Sequence, residues 1–178
     1  DISNINLTNN PNLEYLNFWH TNISELDLTN NPNLIELSLV WNELSSLDLS
    51  QNLNLENLDI LGNHFTYFDI SHLTLLTFFR FSDNPLTSVN LQNGYNDNFF
   101  AITSEDNFDL TCIQVDDVEY SNMQICEPNG TGWCVDPWST YSEDCLLLVE
   151  ESVSNSLAIY PNPAKTKIFI ENNNAIQI

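Results

Sequence analysis

Residues 34–49 read LIELSLVWNELSSLDL, and residues 55–70 answer with LENLDILGNHFTYFDI. The same apolar positions return every 21 residues, in six columns. Leu13, Leu34, Leu55 and Leu76 form one column. Leu16, Leu37, Leu58 and Phe79 form the next, and Phe18, Leu39, Ile60 and Phe81 the third. Ile23, Leu44, Phe65 and Leu86 follow, then Leu26, Leu47, Phe68 and Val89, then Leu28, Leu49, Ile70 and Leu91. Within each unit an L-x-L pattern occurs twice, which is the period of a strand with one buried side. One unit cannot bury that side alone, but stacked units make a continuous core. The sequence predicts a mainly β solenoid over residues 1–94.

Polar columns run in the same register. Asn42, Asn63 and Asn84 end the first L-x-L stretch. An inward asparagine can bond the backbone groups freed where a strand turns. Thr21 takes this place in the first full unit, so the ladder is expected to be weaker there. A second column holds Asn10, Asn31 and Asn52 and breaks at Leu73 and Gly94, as though the array were ending. Pro11, Pro32 and Pro85 fall in turns, where a fixed φ and a missing N–H do no harm. The lead-in Ile2, Ile5 and Leu7 matches Ile23, Leu26 and Leu28, so the chain starts in mid-repeat and reads as a fragment.

The unit L-x-x-L-x-L-x-x-N-x-L-x-x-L-D-L-x-x-N-x-x resembles the leucine-rich repeat family. It is most similar to the 21-residue bacterial variety, and the resemblance covers about residues 1 to 100. It implies a solenoid, and it names no ligand.

After Gly94 the columns stop. A solenoid exposes its core and unpaired strands at each end, so residues 95–148 are expected to form a C-terminal cap. Leu110 to Val115 should pair with the last repeat strand. Four cysteines allow three connectivities. Cys126 and Cys134 bracket the turn-rich EPNGTGW and are natural partners, which leaves Cys112 with Cys145. The spacings match no common zinc site. Disulfides imply an oxidising compartment outside the cytoplasm.

Residues 149–155 read as a linker. Residues 156–170, SLAIYPNPAKTKIFI, resemble the start of the C-terminal sorting domain of the type IX secretion system of Bacteroidetes. The match rests on Tyr160, Pro161, Asn162 and Pro163, with an alternating strand on either side; an ordinary hairpin with a proline turn is the plain alternative. Only the first part of such a domain fits into residues 156–178. Asparagine richness and the segment from Thr111 to Cys145 are also similar to secreted flavobacterial leucine-rich repeat proteins. The resemblance implies export by that machinery to the surface or exterior of a Gram-negative bacterium.

Composition removes several functions. The chain carries 25 acidic against 3 basic residues, for a net charge of −22. Arg80, Lys165 and Lys167 are too few for the phosphate contacts that nucleic acid needs. Anionic membranes are disfavoured likewise, and no apolar run approaches a membrane span. No catalytic set stands out. His20, His64 and His72 fall at three repeat phases, so stacking does not gather them into a metal site.

The outward positions of the first strand, expected to line the concave face, are the better candidates for binding. Tyr15, Trp19, His20, Glu36, Val40, Trp41, Asp59, Leu61, Phe78 and Arg80 are expected there, with equivalent side chains about 4.8 Å apart. Exposed aromatic patches usually meet a partner. The reading that follows is a non-catalytic recognition module with a protein partner. A glycan on Trp19 and Trp41, or a role as accessory subunit of an outer-membrane transport or secretion complex, are the alternatives. These residues could also pack against a preceding repeat or a flanking loop.

Asp27, Asp48 and Asp69 form a ladder flanked by Asn6 and Asn90. Like charges one strand apart repel, so salt screens them or a divalent cation such as Ca2+ bridges them; a solvated ridge with no cofactor is the simpler expectation. At net charge −22, self-repulsion should be relieved by ions. The melting temperature is therefore expected to rise between low salt and seawater-like salt. A melting temperature independent of salt would contradict this.

Overall fold

In a computed structural model, residues 5–128, 130–145, 157–160 and 169–172 are described. They fall into two units, residues 1–145 and residues 146–178. The first is a parallel β-solenoid. The first L-x-L of each unit gives a three-residue strand, whereas the second does so only from residue 67 onward, and residues 26–28 and 47–49 run without strand pairing.

One sheet contains six parallel strands, ordered β1 (Tyr15–Asn17), β2 (Glu36–Ser38), β3 (Asn57–Asp59), β5 (Phe78–Arg80), β7 (Ala101–Thr103) and β9 (Gly132–Cys134). The other contains four, ordered β10 (Thr140–Ser142), β8 (Cys112–Gln114), β6 (Ser88–Asn90) and β4 (Tyr67–Asp69). Register follows the repeat, with Leu37 beside Leu58 and Leu58 beside Phe79. Central strand residues point inward, and Leu37, Leu58, Phe79, Val89, Ile102 and Ile113 are buried in one core. Phe68 and Phe79 meet across it with centroids 5.7 Å apart.

Asparagines organise the turns. Asn63 accepts from the Leu44 N–H at 3.1 Å and donates to the Leu39 and Ile60 carbonyls at 2.7 and 3.0 Å. Asn84 does the same for the Phe65 N–H and the Ile60 and Phe81 carbonyls, at 3.1, 3.0 and 3.1 Å. Asn42 accepts from the Thr21 and Ile23 N–H groups. Thr21 cannot span two turns with its short side chain, and gives its hydroxyl to Asn42 at 2.8 Å instead. The second column is less complete. Asn31 and Asn52 donate to backbone carbonyls, but their side-chain oxygens are buried without a partner.

The strands continue past Gly94, where the sequence columns stop. β7 pairs with β5, and β9 with β7. β8, from the Leu110–Val115 segment, pairs with β6, and β10 with β8. The segment expected to be a cap thus prolongs both sheets. What changes is the spacing, because longer excursions are inserted between strands. One of them carries α1 (Val118–Asn122), whose first turn is closed by Asp117 accepting from the Tyr120 N–H. The asparagine ladder survives the change: Asn107 accepts from the Asn84 N–H and donates to the Ser104 carbonyl. Buried Asp136 ends it, taking the N–H groups of Asp106 and Asn107 on its two oxygens at 3.1 and 3.0 Å.

Two disulfides join Cys112 to Cys145 and Cys126 to Cys134. The first closes a separation of 33 residues and ties the start of β8 to the end of the unit. The second closes the EPNGTGW loop. Gly132 sits beneath it at φ +79°, where an added Cβ would lie 2.1 Å from the Ile125 carbonyl oxygen. A side chain is therefore excluded twice, by conformation and by space.

In the second unit, β11 (Leu157–Tyr160) and β12 (Phe169–Asn172) pair antiparallel. Pro161, Asn162 and Pro163 of the sorting motif lie outside the described residues, as does the 149–155 linker.

Candidate functional site

The residues expected on one patch separate into two places. Outward positions of the six-stranded sheet hold Tyr15, Glu36, Asp59, Phe78 and Arg80. Tyr15 is 63% exposed. Arg80 lies opposite Asp59 in the β3–β5 register, one turn of the repeat away. Its Nε donates to Asp59 Oδ1 at 3.0 Å, and its terminal nitrogen closes a second bond to Oδ2. This bidentate fork fixes the guanidinium beside Asp59 on the sheet face. Phe78 packs against Phe100, ring centroids 5.6 Å apart. Phe100, from the loop before β7, is half-exposed and was not foreseen, because it lies beyond the last sequence column. Glu36, Asn57, Asp59, Phe78 and Phe100 border a shallow hollow on this face.

The other expected residues sit where the chain leaves the strands. His20, Trp41, Gly62, Asp83 and Asp106 all have positive φ, between 52° and 67°. They form one column of left-handed turn residues. Glycine, aspartate, asparagine and histidine tolerate this conformation, and tryptophan does so less readily. His20 and Trp41 stack with centroids 5.9 Å apart and planes 10° from parallel. Trp19 tilts against His20 at 5.4 Å. On the next turn the Trp41 ring lies over Gly62, where an added Cβ would fall 2.3 Å from a ring carbon. The row Trp19–His20–Trp41–Gly62 thus depends on the missing side chain of Gly62.

Five of the ten expected residues are not fully exposed: Asp59, Phe78 and Arg80 are half-buried on the strands, and two more lie beyond them. Val40 is only 8% exposed, and Leu61 is half-buried. Beyond the strand the two-residue alternation lapses into the turn, so the in-out pattern that turns Asn17 and Ser38 outward no longer applies to Val40.

The aspartate ladder on the second sheet's side has a local account. Asp27, Asp48 and Asp69 each accept the N–H two residues ahead, at 2.9, 2.9 and 2.8 Å, from Thr29, Ser50 and Ser71. Asn6 and Asn90 close the same turn with Thr8 and Gln92. The column is thus a row of Asx turns. Among the described residues, no group of three His, Cys, Asp or Glu could hold a metal ion. No described helix is long and apolar enough to cross a membrane.

No protein-family model matches the chain, and no curated protein matches it. A solved structure does: the functional domain of InlJ from Listeria monocytogenes, described as including a cysteine ladder. It aligns with a TM-score of 0.51 and 22% sequence identity, over 78% of this chain and 36% of that one. The fold is a leucine-rich repeat solenoid. At this identity the likeness is one of fold, and the chain spans only about a third of that protein. The paired cysteines here close two loops at the C-terminal end of the solenoid.

Hydrogen bonding shifts the ladder's acidity. The Thr29 hydroxyl, then its N–H, holds Asp27 below the ordinary aspartate value of 3.8. The Ser50 N–H and then its hydroxyl do so for Asp48. Burial pushes Asp69 up, but bonds from Ser71, Tyr67 and Asn90 outweigh it. A carboxyl lowered by folding takes up its proton first in the unfolded chain. Its contribution is therefore full above the ordinary value and is lost as pH falls through the lowered one. The melting temperature is expected to fall below roughly pH 4. A triple Asp→Asn variant at 27, 48 and 69, which keeps the Asx turns, should fall less steeply. An unchanged acid profile would contradict the assignment.

Proposed function

We propose that this chain is a non-catalytic recognition module that binds a protein partner through the outward face of its six-stranded sheet. The observation that carries this is the combination on that face of Tyr15, the Phe78–Phe100 pair and the bidentate Arg80–Asp59 fork. Tyrosine, phenylalanine and arginine are the residue types that anchor protein interfaces. The strands beneath them hold their spacing at the inter-strand distance, so the face is pre-organised and loses little entropy on binding. A glycan reading needs open ring faces on Trp19 and Trp41. Trp41 is held between His20 and Gly62, which favours the protein reading.

The two disulfides support an extracellular setting, because such bonds persist in oxidising compartments. The sequence around Tyr160 supports export by type IX secretion, and hence a bacterial outer surface of the Bacteroidetes kind. On this reading the export machinery is a transient partner, and no cofactor is used.

Photo-crosslinkers placed singly at Tyr15, Glu36 and Phe78, and at Tyr67 on the other sheet, test the interface. With envelope and extracellular fractions of the source organism, the first three should capture one common protein, and Tyr67 none. Truncating Phe78 and Phe100 to alanine should weaken binding to that protein by roughly 30-fold, the cost of losing a central aromatic anchor. Capture from Tyr67 alone, or affinity unchanged by the truncation, would overturn the reading.

A further inference from the structure

Beside the sheet face runs an open groove of about 580 Å³ along the column of left-handed turns. His20 and Trp41 line its first part and Phe108 its last. Phe108 is 74% exposed and stacks on Trp138 with centroids 5.9 Å apart. Between them lie the carboxylates of Asp83 and Asp106, with Asp109 beside Phe108. From Trp41 to Asp106 is three inter-strand steps, about 14 Å.

Three facts define what fits there. The free edge of the Trp41 ring at one end and the exposed Phe108 ring at the other offer apolar surface. The carboxylates between them face no fixed cation of the first unit, because Arg80 is its only lysine or arginine and is committed to Asp59. Asp83 and Asp106 are adjacent in the column and repel. Burial, and then the charge of Asp106, pushes the Asp83 carboxyl above its ordinary range. A ligand that brought positive charge would relieve this, and one with aliphatic stems would cover the rings.

We infer that this turn-edge groove is a second docking surface, which takes an extended, lysine- or arginine-bearing segment of a protein. Lysine and arginine meet both demands, since their stems lie along apolar surface while the charged heads stay at a polar rim. The charge match sets the class of partner: aromatic walls with acidic centres reject an acidic segment and attract a basic one. The inference does not rest on the sheet-face reading, because none of the groove residues named is a strand residue.

The test uses the whole chain and a fluorescein-labelled peptide of alternating lysine and glycine, with its lysine-acetylated form as control. Asp83→Asn/Asp106→Asn removes the two charges, and asparagine tolerates both left-handed positions. Asp27→Asn/Asp48→Asn removes the same net charge elsewhere. Binding is expected to weaken roughly five- to tenfold in the groove variant, and by less than about twofold in the ladder variant. Phe108→Ser should also weaken it, and the acetylated peptide should bind poorly. Tyr15→Ala/Phe78→Ala should leave peptide affinity unchanged, which keeps failure here distinct from failure of the sheet-face reading. Equal weakening in both charge variants would show only general attraction to a chain of charge −22 and overturn the groove. So would equal binding of the acetylated peptide, or displacement by Ca2+ beyond that by Na+ at matched ionic strength.

Discussion

A buried asparagine following β2, β3, β5 and β7 is the contact on which this structure depends. A solenoid turn takes the chain out of a parallel strand and leaves N–H and C=O groups inside the molecule with no ladder partner. An unpaired buried backbone group costs about 1–3 kcal/mol. Asn63 and Asn84 each satisfy at least three such groups with one side chain, bridging successive turns. Leucine could fill the same space and would leave all of them bare. The apolar columns supply the driving force for stacking, and the asparagines make the bend between stacked strands affordable.

The C-terminal end shows how such a ladder is closed. Asn107 carries the pattern one turn further, 23 residues after Asn84, and Asp136 follows 29 residues later. An ionised carboxylate accepts and does not donate, so it can receive the last N–H groups but cannot hand the pattern on. Around it, Trp133 packs edge-on against Phe99, Tyr120 and Tyr141. Burial there pushes the Tyr141 hydroxyl up to about 12. The Cys112–Cys145 bond ties β8 to the chain just beyond β10, the edge strand at this end of the four-stranded sheet.

Fold and site differed in how far they could be read from the residues. Leu37, Leu58 and Phe79 announced their strand by strict 21-residue spacing, and Asn42, Asn63 and Asn84 announced the turn by the same means. Asn107 and Asp136 do the same physical work but stand at irregular distances, so no column revealed them. The cysteine pairing was legible because Cys126 and Cys134 bracket a short, turn-rich loop that brings them together. Tyr15, Glu36 and Arg80 were placed outward correctly by strand alternation. Val40 was not, because alternation says nothing once the strand has ended. The stacking of Trp41 between His20 and Gly62 depends on left-handed φ values, which only Gly62 hinted at. Phe100 joined the face through a loop with no repeat to mark it.

The asparagine account is tested most directly by replacing Asn63 with alanine and following hydrogen exchange at the Leu44 N–H together with global stability. The account predicts loss of protection at Leu44, and destabilisation of roughly 2–4 kcal/mol from the stranded backbone groups. Asn52→Ala should cost less, because the Asn52 side-chain oxygen has no partner to lose. A Leu44 amide that stays protected in a variant as stable as the parent would contradict the central role given to the ladder.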